Sequence, residues 1–285
     1  MASLSPEINA RLELAVDRMP AFPKSVQKIL ELSRNINCAP KELIMVIEKD
    51  PVMTIKILKV LNSVYYSLPS KITSVSRAVV YIGINTVKNL ALSFAAVGML
   101  PSRNVAGFDI DRYLQHSLVT AGIARQLAQK HGNGQVDPMD CYVAGLLHDF
   151  GKVVFAQFMA AEFQEVLQKS SDRPLHEIES ESIGVNHAVV GAMLIQRWNF
   201  PETLVECVRD HHENPVMDNP MSECLFLADT IAKRAAEVEG LPPVVYDSNW
   251  RGKHIVLSVD RAIASLGDLT AFSAEAQMFK QASRT

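Results

Sequence analysis

Gly145-Leu146-Leu147-His148-Asp149-Phe150-Gly151-Lys152 is the stretch from which the rest of the chain is best understood. The apolar residues before the pair belong in a core, and a histidine and an aspartate carried in with them need a partner or a metal. Imidazole nitrogen and carboxylate oxygen are both ligands for first-row divalent ions, so the pair could serve one ion or a bridged pair of ions. Gly151 allows the backbone to break after the pair, and Lys152 could bring a cation towards an anionic substrate. Taken alone, the octapeptide reads equally well as a capped helix end with a solvated His–Asp pair. The remaining histidines shift that balance.

The surroundings are those of an ordinary helical globular protein. The 285 residues suffice for one large or two modest domains with a full core. Leu, Ala, Met, Glu and Lys are abundant and aromatics make up only 7% of the chain, which points to an all-α class. A net charge of −3 provides no whole-chain field to attract nucleic acid or an acidic membrane. Cys38, Cys141, Cys207 and Cys224 are scattered, with no CxxC pair and no secretory leader, so a reduced, cytoplasmic protein is expected. The most apolar window, Leu90 to Leu100, is too short to span a bilayer and reads as a buried helix.

In chain order, residues 1 to 18 are weakly amphipathic, and Met19-Pro20-Ala21-Phe22-Pro23 forces an extended entry to the next element. Helices are predicted over Lys24–Ser33 and Pro40–Lys49. A third is opened by Asp50-Pro51, with Ile55, Leu58 and Leu61 on its apolar face. Ser76 is expected to cap a short helix that Gly83 interrupts, and a long apolar helix follows from Asn85 to near Pro101. These closely spaced helices could imitate a helix-turn-helix, but the four lysines of residues 40–64 are set against Glu42, Glu48 and Asp50, which disfavours direct DNA binding. Ser102 to Gly107 is the expected boundary. Beyond it, helices are predicted over Asp109–His131, from Asp137-Pro138 to His148-Asp149, over Lys152–Met159, Ala161–Lys169 and Leu175–Ile183, from Asn186 to Trp198, from Pro201 towards His211-His212, and from a Ser222 cap through Asp229. The glutamate-rich helix at 175–183 is expected to be exposed on one side. Residues 241–285 are a Pro242-Pro243 stop, a polar connection around Trp250, an amphipathic helix over His254–Leu266 and a helical or frayed tail.

Each candidate site residue has a plain reading by itself: His116 a satisfied core histidine, His187 a first-turn residue, His211 and His212 a solvated helix end, Asp229 an ion-pair member, Lys152 a surface lysine. Together His116, His148, Asp149, His187, His211, His212 and Asp229 all fall near helix ends or on inward faces, as in a site assembled from several helices. Nitrogen and carboxylate donors without a thiolate suit Fe, Mn, Zn or Mg, as one or two ions, with Asp149 as the bridging carboxylate if two bind.

His116, His148-Asp149 and Asp229 resemble the H…HD…D signature of the HD superfamily of metal-dependent phosphohydrolases. His187 and His211-His212 resemble the additional ligands of its two-metal branch, which includes the HD-GYP phosphodiesterases of cyclic di-GMP. In the first half, Met19-Pro20 with Phe22-Pro23, Ile47-Glu48-Lys49-Asp50-Pro51, Leu61-Asn62-Ser63 with Tyr65-Tyr66, and Ala78 to Gly83 resemble the HDOD family, the HD-related output domains of bacterial signalling proteins. The resemblance spans roughly residues 15 to 240. It implies an all-α, multi-helix bundle in which an HDOD-type helical subdomain (1–104) packs on an HD-like metal-binding one (105–240), followed by a helical extension (241–285). It implies that His116, His148, Asp149 and Asp229 hold one metal, that Asp149, His187, His211 and His212 hold a second, and that Lys152 with Asp149 carries any catalysis. The chain departs from HD-GYP after His211-His212-Glu213, where Asn214-Pro215-Val216-Met217-Asp218 replaces Gly-Tyr-Pro, and at Arg112, where a third metal would need a carboxylate.

Two functions follow from the resemblance: a signalling module that binds divalent metal, or an active phosphohydrolase on a nucleotide or cyclic dinucleotide. The expected partners are separate signalling proteins, since no receiver, kinase or output enzyme is read in the chain, and a phosphate-containing small molecule. No nucleic acid or membrane partner is expected, and a homodimer is left open.

Overall fold

The computed structural model describes residues 6–34, 38–63, 70–101, 106–170, 173–213, 219–236, 250 and 252–283. These residues form α1 (Pro6–Arg18), α2 (Lys24–Arg34), α3 (Pro40–Glu48), α4 (Pro51–Leu61), α5 (Val75–Ile82), α6 (Ile84–Gly98), α7 (Ile110–His131) and α8 (Pro138–Leu147). They continue with α9 (Phe150–Phe158), α10 (Ala160–Lys169), α11 (Leu175–Ser182), α12 (His187–Arg197), α13 (Glu202–Arg209), α14 (Pro220–Ala235), α15 (Val259–Leu266) and α16 (Thr270–Ser283). No strand occurs among the described residues, so the fold is all-α, as composition and periodicity lead one to expect.

Several helix starts follow from local chemistry. Asp50 accepts from the Met53 N–H at 3.0 Å with Pro51 in the first turn, Asp109 from Arg112 at 2.9 Å, and Asp137 from Met139 at 2.7 Å. Asn186 accepts from both Ala188 and Val189. Two caps differ from expectation. Ser74 rather than Ser76 caps α5, and Asn219 rather than Ser222 caps α14, with Pro220 in its first turn. Each true cap sits within two residues of a side chain that enters the core, Val75 or Met221, so burial chooses between neighbouring cap-competent residues.

The inward face of α4 also differs. Met53, Ile57, Val60 and Leu61 are buried, Leu58 is half-buried and Ile55 is 66% exposed. Pro51–Leu61 is apolar on most sides, so periodicity could not select a face, and packing against α3, α5, α6 and α16 does. Farther on, α15 begins at Val259 rather than His254. The buried Glu223 carboxylate accepts the backbone N–H groups of Lys253, His254 and Ile255 at 2.8, 2.9 and 2.7 Å, and so holds these residues in a turn.

By packing, the chain divides into two units: Met1–Pro20 with Leu100–Leu269, and Ala21–Met99 with Thr270–Thr285. This partition differs from the linear one of 1–104, 105–240 and 241–285, because each unit recruits a helix from the far end of the sequence. In the larger unit α7, α8 and α14 pack together, α9 packs on α12, and α1 lies on α9 and α12. Ion pairs Arg11–Glu162 and Asp17–Arg197 fasten α1, and the Trp198 indole N–H donates to the Pro20 carbonyl at 3.1 Å. In the smaller unit α16 packs on α4 and α6, with the rings of Phe94 and Phe279 5.3 Å apart. Asn62 ties the α4–α5 connection back onto α4: its Nδ2 donates to the Leu58 and Ile72 carbonyls, and its Oδ1 accepts from the Ile72 N–H. Ser25 donates to Asp50 at 3.1 Å, joining the first helix of this unit to the α3–α4 turn. No single described helix is long and apolar enough to cross a membrane.

Candidate metal centre

The larger unit gathers its polar side chains by letting backbones approach closely at two glycines. A Cβ on Gly145 would lie 2.6 Å from the Ala121 Cα, which places α8 against α7. A Cβ on Gly151 would lie 1.9 Å from the His187 carbonyl oxygen and 2.8 Å from the Gly191 nitrogen, which places α9 against the start of α12. Gly151 therefore acts differently from expectation. It lies within helix α9 and has no positive φ; its missing side chain, not a backbone break, is what the fold uses.

All seven expected ligand residues meet at this junction. His116 comes from the second turn of α7, His148 and Asp149 from the α8–α9 corner, His187 from the first residue of α12, His211 and His212 from the residues after α13, and Asp229 from α14. They form two groups that share Asp149. On one side His116 Nε2 lies 3.2 Å from His148 Nε2, 3.6 Å from Asp149 Oδ2 and 3.0 Å from Asp229 Oδ1, and His148 Nε2 lies 3.4 and 3.6 Å from the same two oxygens. On the other side Asp149 Oδ1 lies 3.0 Å from His187 Nε2 and 3.7 Å from His211 Nε2, while His187 Nε2 and His212 Nε2 are 2.7 Å apart. His116–His148–Asp149 and Asp149–His187–His211–His212 each present ligand atoms within 4.8 Å of one another.

The hydrogen-bond pattern shows which atoms are free to bind an ion. His148 Nδ1 is 2.8 Å from the Gly145 carbonyl and His211 Nδ1 is 2.6 Å from that of Val208. A carbonyl only accepts, so each Nδ1 carries the proton and each Nε2 offers a lone pair to the centre. His211 Nε2 and Asp229 Oδ1 are buried with no hydrogen-bond partner. Orphaned acceptors of this kind are costly in a core, and a divalent ion is the partner that satisfies several acceptors at once. The donor set, all imidazole and carboxylate, fits a divalent metal.

Electrostatics agree. Burial pushes the His211 imidazole down to about 4, and burial aided by His211 holds His212 well below the ordinary histidine range, so both stay neutral and able to ligate at neutral pH. Burial alone would raise the Asp149 and Asp229 carboxyls. For Asp149 the neighbouring His148 and Lys152 outweigh it, and for Asp229 Lys233 and His116 do, so both remain ionised. Lys152 Nζ lies 2.6 Å from Asp149 Oδ2.

Three residues around this centre were not legible in the sequence. Glu179 is fully buried beside Ile178 on α11, a helix whose other side is exposed and where Glu177 and Glu181 pair with Arg173 in solvent. Its Oε2 accepts from the His187 backbone N–H at 2.8 Å and lies 2.5 Å from His187 Nδ1. Burial opposes charge on His187, but Glu179 and Asp149 together outweigh it and raise the imidazole. A carboxylate behind a ligand histidine fixes its ring and raises its basicity. The only sequence trace was the stripe Ile178-Glu179 with Ile183, which puts Glu179 on the inward side. Lys233, one turn after Asp229, holds Asp229 Oδ2 at 2.5 Å, and the His176 ring stacks on that of His212 with centroids 4.0 Å apart. Glu179→Gln should weaken binding of the ion on the His187 side by roughly 10- to 100-fold, as read by calorimetric titration with Mn2+; wild-type affinity in that variant would remove Glu179 from the centre.

The HDOD domain model matches residues 19–214. This chain belongs to the HDOD family. Asp229 lies beyond the matched stretch, and Asn214–Asp218, where the chain departs from HD-GYP, lies outside the described residues. A protein of Treponema pallidum (strain Nichols), itself uncharacterised, is 30% identical over 205 residues, covering 70% of this HDOD chain and 39% of the relative. The chain thus spans well under half the length of that curated relative. Among solved structures, an HDOD domain protein of unknown function from Geobacter sulfurreducens superposes with a TM-score of 0.77 at 23% identity, covering 95% of this chain and 99% of that one. A structure from Marinobacter aquaeolei VT8, named as a signal transduction protein, gives 0.78 at 24% identity over 96% of this chain and 66% of its own. Both share the fold of this chain.

Proposed function

We propose that this HDOD protein is a signalling module whose HD-type centre binds two divalent ions. The observation that carries the reading is Asp149, which turns Oδ2 to His116 and His148 and Oδ1 to His187 and His211. His116, His148, Asp149 and Asp229 would hold one ion, and Asp149, His187, His211 and His212 the other. Binding joins α7, the α8–α9 corner, α12, the end of α13 and α14, so occupancy would stiffen the larger unit as a whole and give a separate signalling protein a surface to read.

A second reading, hydrolysis of a phosphodiester in a nucleotide or cyclic dinucleotide, is favoured by the full ligand set together with Lys152. Bound ions would supply Lewis acidity and an activated water there. Lys152, held against Asp149 and only 15% exposed at its side chain, would meet a phosphate oxygen or protonate the leaving oxygen. The deciding experiment is elemental analysis of untagged protein purified without chelator, followed by a phosphodiesterase screen of the loaded protein. About two equivalents of Fe, Mn or Zn with no turnover supports the signalling module, and turnover abolished by Lys152→Met supports the hydrolase. Protein that carries no metal and takes none up on reconstitution overturns both.

A further inference from the structure

We infer that Lys233 competes with a bound ion for the charge of Asp229 and that, once released from Asp229, it becomes the binding group for an anionic, phosphate-type ligand. The inference rests on the two-ion reading above. On a helix an Asp–Lys pair four residues apart is ordinarily a solvated surface pair. Three observations set Asp229–Lys233 apart from that case. Asp229 is buried, and its Oδ1 has no hydrogen-bond partner while lying 3.0 and 3.6 Å from His116 Nε2 and His148 Nε2. Lys233 takes the other oxygen, Oδ2, at 2.5 Å, so one carboxylate is divided between an ammonium and the imidazole cluster. At Asp149, by contrast, Lys152 holds Oδ2 at 2.6 Å, the same oxygen that faces His116 and His148, so only at Asp229 does the lysine have an oxygen to itself. The two carboxylates of the centre each carry their own ammonium.

The two lysines differ in freedom. The Lys152 side chain is 15% exposed and the Lys233 side chain 38% exposed, so Lys233 can leave its carboxylate for solvent at little cost while Lys152 stays in place. An ammonium and a divalent cation both compete for the charge of Asp229. When Lys233 loses that competition it remains at the rim as an unpaired cation, on the side where His176 stacks over His212. An anion arriving there gains a charge-assisted hydrogen bond that is unavailable while Lys233 is still paired. Metal and anion should consequently bind with positive coupling, and the coupling must be the same factor from either direction.

The test is calorimetry on the full chain with Mn2+ alone, inorganic phosphate alone, and each in the presence of the other, for wild type, Lys233→Met and Lys233→Arg. Methionine retains helix propensity and most of the stem. In the variant K233M, Mn2+ without phosphate should bind about two- to fivefold tighter, because a competing cation is gone. Phosphate should bind the Mn2+-loaded variant about tenfold more weakly than it binds loaded wild type. K233R should keep the wild-type coupling. A merely structural lysine gives the opposite sign for Mn2+, since disturbing Asp229 weakens the metal. Weaker or unchanged Mn2+ binding in K233M, or an unchanged coupling factor, overturns the inference while leaving the two-ion reading intact. Wild type that binds no Mn2+ removes the two-ion reading itself.

Discussion

Asp149→Ala protein should emerge from a chelator-free purification with less than about a tenth of the wild-type metal, because one substitution removes the carboxylate whose two oxygens serve the two ligand groups. Every other ligand residue belongs to one group only, so Asp229→Ala or His212→Ala should each leave about one ion bound. Stability should follow. A ligand present at a hundred times its dissociation constant contributes about 2.7 kcal/mol to the native state. Wild type should therefore melt several degrees lower in chelator, and the Asp149→Ala protein should melt at the same temperature with and without it. The variant should also lie below chelated wild type, since Lys152 loses the carboxylate that compensates its charge in a largely buried position. Elemental analysis and a pair of thermal melts read these outcomes, and an unchanged metal load in the variant removes the centre as drawn.

Gly151→Ala should be nearly as damaging although it deletes nothing. The added methyl group would sit 1.9 Å from the His187 carbonyl oxygen, a backbone atom that can move only if α12 moves with it. Overpacking of this kind costs typically about 1–3 kcal/mol, and a backbone clash lies at the upper end. The displacement acts on the two residues that the close approach aligns, Asp149 and His187, whose ligand atoms are 3.0 Å apart. The variant should lose stability in urea and the ion on the His187 side together. Gly98→Ala is the matching control. It lies at the end of α6 with no atom within 4 Å of the added Cβ, so it should be neutral or stabilise by up to about 1 kcal/mol. If Gly151→Ala behaves like Gly98→Ala, the close approach of α9 and α12 does not position the centre.

Glycine shows how a residue can be legible as important while its reason stays hidden. Gly151 stood out beside His148-Asp149, and a chain break was the natural reading of a glycine after a polar pair. The break would need a local conformation, whereas the observed use is a contact with a segment thirty-six residues onward, and nothing local encodes that. The candidate ligands were legible because their chemistry is intrinsic: imidazoles and carboxylates recurring at the ends of apolar helices are costly to bury without a shared partner. Glu179 was missed for the converse reason. On a helix with Glu177 and Glu181 its residue type says solvent, and only the packing of α11 on α12 turns it inward to His187. Lys233 was missed because an Asp–Lys pair one turn apart is ordinary on any helix until one of its members is found buried.

The sequence by itself determined the all-α class, the helix starts at Asp50, Asp109, Asp137 and Asn186, and the set of seven nitrogen and oxygen donors, because capping, periodicity and ligand chemistry act over a few residues. Tertiary structure alone decided three other features. It chose the buried face of α4, a helix apolar on most sides. It placed α1 with the larger unit and α16 with the smaller, since a helix joins whichever core covers its apolar stripe regardless of its place in the chain. Finally, it divided the donors between the two oxygens of Asp149, a distribution set by the approach of backbones at Gly145 and Gly151 across distant segments.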